Sequence, residues 1–125
     1  MVETVVTTTG KQWLTDKMDN TVGAATFYGG WGTGGSSTGG TSTAGDATLK
    51  AEATEARVVT SNSQPSADTN RWVFSITAGT VKTIEEGGLF AGTSTATTMI
   101  IRGNHAGVVM ATGDSIAYTV TLQHT

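Results

Sequence analysis

The sequence predicts an all-β domain, mainly an antiparallel sandwich or a barrel-like fold, with one short N-terminal helix. Three observations predict it. Thr is the commonest residue, and its β-branch suits a pleated surface. Residues 71–77 and 115–122 alternate apolar and polar with a period of two. The 17 glycines argue for turns and bulges between such segments. At 125 residues the chain reads as a single β domain, 1–125, with 1–8 suited to an edge strand or an extended arm.

Residues 2–8 are short and β-branched. The helix is expected next, with Thr9 as N-cap and Gln12 three residues on, a capping-box spacing. Trp13, Leu14, Lys17 and Met18 then share a stripe that would plug one end of the sandwich, and Asn20 can end the helix. Residues 24–28 read as a short strand. Gly29 to Gly45 reads as a long surface loop, with Trp31 anchoring its start or meeting a partner. Residues 46–57 form a charged transitional segment, a helical turn or an irregular edge. Arg57 to Ser61 becomes a strand, and Asn62 to Asn70, with Pro65 and Asp68, reads as a turn region.

Arg71 to Thr77 is a strand with Trp72, Phe74 and Ile76 on one face and Val73, Ser75 and Thr77 on the other. After a break at Ala78 to Thr80 a strand resumes at Val81. Thr97 to Arg102 is a strand, Gly103 to Gly107 is expected to reverse direction, and Val108 to Met110 is apolar. Ala111 to Asp114 is a turn. Ser115 to Leu122 places Ile116, Tyr118, Val120 and Leu122 on the core face, and its regularity suggests the middle of a sheet.

Between the predicted strands at 71–77 and 97–102 lies the stretch Lys82 to Phe90. Paired carboxylates, Glu85 and Glu86, meet two glycines, Gly87 and Gly88, before the apolar pair Leu89 and Phe90. Such a junction predicts a structural bend: a positive φ, a bulge, or a close approach to another chain. Adjacent residues of a strand point to opposite faces, so the two glutamates do not form a facing catalytic pair. One would cap backbone N–H groups and the other be solvated or pair with an arginine, Arg57 or Arg102.

Composition excludes several function classes. The net charge is −3 and the pI about 5.1, without any run of Lys or Arg, so a phosphate-backbone binder is not expected. There is no Cys, and the two histidines, His105 and His124, sit in a turn and beside the C-terminus, so no metal constellation is predicted. Gly30 to Gly35 spells a GxGxxG pattern, but the Gly/Ser/Thr run after it cannot start the helix that a dinucleotide site needs. No serine sits in a nucleophile elbow. No catalytic or cofactor-binding residue is predicted, and neither a membrane span nor a signal peptide is read in the sequence.

The order of short motifs is informative. Gly32-Thr33-Gly34 is followed by Gly45-Asp46-Ala47-Thr48-Leu49, then Glu52, Arg57, Glu85-Glu86-Gly87-Gly88-Leu89-Phe90, Arg102 and Gly113-Asp114-Ser115-Ile116. This order resembles the small β-rich virion proteins of tailed bacteriophages, over nearly the whole chain. In that family the motifs take the form GTG, G-D-T-x-L, Glu, Arg, E-A-G-L-F, Arg and G-D-x-I/L. The chain departs from it at Gly87, where Ala is commoner, and in the extra length between Gly34 and Gly45.

The resemblance implies a non-enzymatic structural role. A capsid decoration (cement) subunit is expected, binding the major capsid protein and stabilising the head shell as a homo-oligomer, with a trimer favoured. It would be located in the virion and assembled in the host cytoplasm, without cofactor, nucleic acid or membrane. Val2, Val5 and Val6 of the arm, with Trp31 and Phe90, are the candidate partner contacts. The alternatives are a tail-tip, baseplate or receptor-binding virion protein using the Gly34–Gly45 loop, and a carbohydrate-binding β-sandwich with Trp31 stacked on a sugar.

Overall fold

Strands dominate the computed structural model, which describes residues 3–12, 26–35, 41–94 and 98–123. They are β1 (Glu3–Val6), β2 (Tyr28–Gly32), β3 (Val58–Val59), β4 (Ser61–Ser66), β5 (Thr69–Thr77), β6 (Lys82–Phe90), β7 (Met99–Met110) and β8 (Ser115–Gln123). All pair antiparallel, in a five-stranded sheet of order β1-β7-β6-β2-β3 and a three-stranded sheet of order β4-β5-β8. The all-β expectation therefore holds. The β6–β7 hairpin lies in the larger sheet, while the strands on either side of it in sequence, β5 and β8, pair with each other in the smaller one.

The sheets meet through the residues that alternation selects. Trp72, Phe74 and Ile76 of β5 are buried and Val73, Ser75 and Thr77 are exposed. Phe74 and Ile76 pack with Trp31, Ile84, Ala78 and Met110, and Trp72 packs with Leu89, Ile100 and Ile101. Ile116, Tyr118 and Val120 of β8 join the first cluster. Phe74 and Tyr118 stack with ring centroids 5.1 Å apart. The turn before β8 is closed by Gly113 at φ 92°, a conformation that favours glycine.

Residues 8–12 are helical. The cap is Thr7 rather than Thr9: its Oγ1 accepts the Gly10 N–H at 2.9 Å, and the Lys11 N–H reaches the Thr7 carbonyl at 2.9 Å. Thr7 ends the extended run of β1 and is fully buried, its hydroxyl donating to the Met99 carbonyl, so the extended-to-helical transition falls there. The stripe of Trp13, Leu14, Lys17 and Met18 lies outside the described residues, as do Val2 and His124. Residues 3–6 form an edge strand of the chain's own sheet, with Val5 opposite Arg102 and Val6 opposite Ile101.

Four local expectations are corrected. The glycine run is not a loop at its start: Tyr28–Gly32 is strand β2, inside the larger sheet between β6 and β3. Glycines serve there because neighbours fill the space of their side chains. A Cβ on Gly29 would fall within the Phe74 ring, and one on Gly32 would strike the Ala51 carbonyl. Residues 61–66 are strand β4, and only 67–68 turn. Pro65 is tolerated because β4 is an edge whose register shifts between Ser63 and Ser66. Gly103 to Gly107 does not reverse direction, because β7 runs unbroken from Met99 to Met110 and absorbs the glycines as an irregularity. Finally, β8 is an edge strand and not a central one.

The bend is also redefined. Gly87 and Gly88 continue the strand, paired with Gly103 and Arg102, and neither has a positive φ. The irregularity lies just before them. Ile84 pairs with Val108 but Glu86 pairs with Asn104, so one β6 residue, Glu85, stands against three on β7. Its effect is a change of face. Ile84 packs into the core between the sheets, whereas Glu86 turns away from it. In a regular strand these two would share a face.

Candidate functional site

The residues turned away from the sandwich core meet residues 41–57, an irregular segment that crosses the outer face of the larger sheet and then runs beside β2, with Glu52 bridging Gly32 and Ala53 packed on the core. Glu86 is completely buried there. Its Oε1 accepts the Ala51 N–H at 2.8 Å and its Oε2 accepts the Lys50 N–H at 3.0 Å. Arg102, also completely buried, donates from Nε to Glu86 at 2.8 Å and approaches it through Nη2 at 2.7 Å. It also donates to Asp46 at 3.0 Å, Ser42 Oγ at 3.2 Å and the Gly34 carbonyl at 3.2 Å. Asn104, two residues on from Arg102, accepts the Ser42 N–H at 3.0 Å. Among the described residues no buried side-chain polar atom lacks a partner.

Two further ion pairs fasten the same segment. Arg57 binds Glu52 at 2.7 Å, donates to the carbonyls of Gly92 and Ser94, and lies 3.4 Å from the Phe90 ring centre. Glu55 accepts from Trp31 Nε1 at 3.0 Å, from the Gly79 N–H at 3.0 Å and from Lys82. Burial raises the pKa of Asp46, but the Thr43 N–H, Lys50, the Thr43 hydroxyl and Arg102 outweigh it and hold the group at about 2. Burial acts likewise on Glu55, and Lys82, Gly79 and Trp31 hold it at about 2.

A groove of about 330 Å³ opens between the sheets, with Thr4 of β1 on one side and Thr119 to Thr121 of β8 on the other. Its lining includes Gly87, Leu89, Ile101, Phe74 and Val120. Besides these threonines its polar side chains are Asn104, His105 and Tyr118, with His105 Nε2 2.9 Å from the Tyr118 hydroxyl. Burial, and then the Glu86 charge, push the Tyr118 hydroxyl far above its ordinary range. It therefore stays a neutral phenol at physiological pH. Among the described residues no three of His, Asp and Glu stand close enough to hold a metal ion, and no helix is long and apolar enough to cross a membrane.

The structure separates the predicted site residues. Glu86 both takes backbone N–H groups and pairs with Arg102, while Arg57 takes Glu52 instead. Glu85 is buried beside it. Trp31 and Phe90, expected as partner contacts, are both 1% exposed and belong to the core. Trp31 therefore has no free face for a sugar or a partner, because its ring packs in the core with Phe74, Ile76, Ile84 and Met110. Val6 packs against the Trp72–Leu89 cluster and Val5 is half-buried. Among the described residues, the large apolar ones that reach solvent are valines: Val59, Val73, Val81, Val108 and Val109. The Val108-Val109 pair was visible as an apolar dipeptide, but sequence alone could not orient it. No family model, curated protein or solved structure matches the chain.

Proposed function

We propose that this chain is a non-enzymatic structural subunit of a phage virion, a capsid decoration protein that binds and stabilises the head shell as a homo-oligomer. One observation carries the reading. The residues of the motif pattern converge on a scaffold and not on a cleft. Gly34, Asp46, Glu86 and Arg102 form one buried network. Glu52 and Arg57 form the pair beside it, with Arg57 over Phe90, and Phe90 packs on Leu49. In this chain the pattern specifies a three-layered β body, in which a polar loop is bolted to a sandwich. Such a body suits a many-copy surface subunit, whose task is to hold shape and present edges and faces to neighbours.

The partner is the major capsid protein. The test is the number of copies per particle, by quantitative mass spectrometry against that protein. Hundreds of copies in a fixed ratio to capsid subunits are expected. A handful would move the chain to the tail or baseplate, and absence from particles would overturn the virion reading.

A further inference from the structure

The edge of a β-sheet carries unpaired N–H and C=O groups, and proteins blunt such edges by shortness, proline, bulges or charge. The two sheets have four edge strands, and three are blunted. β3 has two residues, β1 has four and begins with Glu3, and β4 contains Pro65 and a shift of register. β8 has none of these devices. It pairs with β5 over nine residues in unbroken register, and among the described residues nothing pairs with its other side. From Ser115 to Gln123 it contains no charge, proline or glycine. Its core-face side chains, Ile116, Tyr118, Val120 and Leu122, are only half-buried, and the groove runs beside Tyr118 and Val120.

We propose that β8 is a homodimer interface, on which β8 of a second copy pairs antiparallel about a two-fold axis at Thr119. The occupant is a second copy because the strand is complementary to itself. About that axis Ile116 faces Leu122 of the second copy and Tyr118 faces its Val120, while Ala117 faces Thr121 and Ser115 faces Gln123. Apolar meets apolar on the core side, polar or small meets its like on the solvent side, and no like charges oppose. The contact is isologous and closes on itself, joining the two three-stranded sheets into one of six strands. The inference rests on β8 alone, independently of the virion reading, and replaces the expected three-fold contact with a two-fold one.

The chain has no cysteine, so one introduced thiol reports one neighbour. Thr119 and Thr121 are both exposed, and their substitution leaves the core intact. Thr119 and its mate would stand about 5 Å apart, within disulfide reach. The two copies of Thr121 would stand about 14 Å apart along the strands, beyond it. The unmodified chain is expected to sediment as a dimer at micromolar concentration. Mild oxidation should yield a covalent dimer from Thr119→Cys and none from Thr121→Cys. Thr119→Lys should raise the dimer dissociation constant about fivefold, and mixing it with Thr119→Glu should restore the dimer. A monomer at every concentration, a trimer, or cross-linking at Thr121 as ready as at Thr119 would overturn the proposal.

Discussion

Glu86 and Arg102 stand diagonally on neighbouring strands, Glu86 opposite Asn104 and Arg102 opposite Gly88, and neither side chain reaches solvent. Two buried charges are tolerable only where each is paired and its remaining hydrogen-bonding capacity is filled. Here the filling comes from Ser42, Asp46, Lys50, Ala51 and Gly34, so the same contacts that neutralise the pair hold the loop on the sheet.

Removing one partner should therefore be severe. Arg102→Met is expected to lower unfolding free energy by about 3–5 kcal/mol, read from urea denaturation. Arg102→Lys should not rescue it, because one ammonium cannot span Glu86, Asp46 and the Gly34 carbonyl as the planar guanidinium does. The double variant Glu86→Gln, Arg102→Met should lose less than the sum of the single losses. Simple additivity would show that the two are not coupled.

The acid limb of stability should trace to Asp46 and Glu55. Both fold with a pKa of about 2, below their ordinary 3.8 and 4.5. A carboxylate lowered by folding adds stability that is complete above its unfolded pKa and lost as pH falls through the folded one. Stability should accordingly drop between pH 4.5 and about 2, by about 2–3 kcal/mol for each group. Asp46→Asn should flatten that slope. An unchanged pH profile in the variant would assign the acid limb elsewhere.

Gly87→Ala probes the approach of β8 to β6. A Cβ there would lie 2.8 Å from Cε1 of Tyr118. The ring has the groove beside it and should shift into it, breaking the hydrogen bond to His105. The expected loss is about 1–2 kcal/mol, with a changed near-ultraviolet tyrosine signal. A neutral substitution with an unchanged signal would contradict the packing.

Phe90→Leu separates a core role from a contact role. The ring lies under Arg57 and packs on Leu49 and Met99. Thermal unfolding should show a loss of about 1–2 kcal/mol, from the lost ring contacts and the cation–π interaction. On the proposed virion role, particle binding measured well below the melting temperature should not change. Loss of binding by a variant that remains folded would return Phe90 to the surface.

Regular strands were legible because period-two patterning is a local property. Trp72, Phe74 and Ile76 needed no knowledge of the rest of the chain. The Glu86–Arg102 pair was legible in part, since one of the paired carboxylates was expected to be solvated or to pair with an arginine, and Arg57 and Arg102 were the obvious candidates. The glycine strand β2 was not legible. Its pattern resides in the Phe74 ring, 45 positions from Gly29, and the Ala51 backbone, 19 positions from Gly32, which occupy the places of its side chains. Burial of Trp31 follows from the same hidden strand. Pro65 misled because its compatibility with β4 depends on that strand's being an edge, which is a property of the assembled sheet.

The irregularity at Glu85 also bears on folding fidelity. Beyond it, β6 presents Leu89 to one layer and Glu86 to the other. A hairpin slipped by one residue would send each to the wrong side. The loop would then lose its landing groups, and a buried arginine would lose its counter-charge. Misaligned pairings are thus penalised twice, once in each layer. The polar network works as a proofreader of strand alignment, and a deletion of Glu85 would be costlier than any substitution at that position.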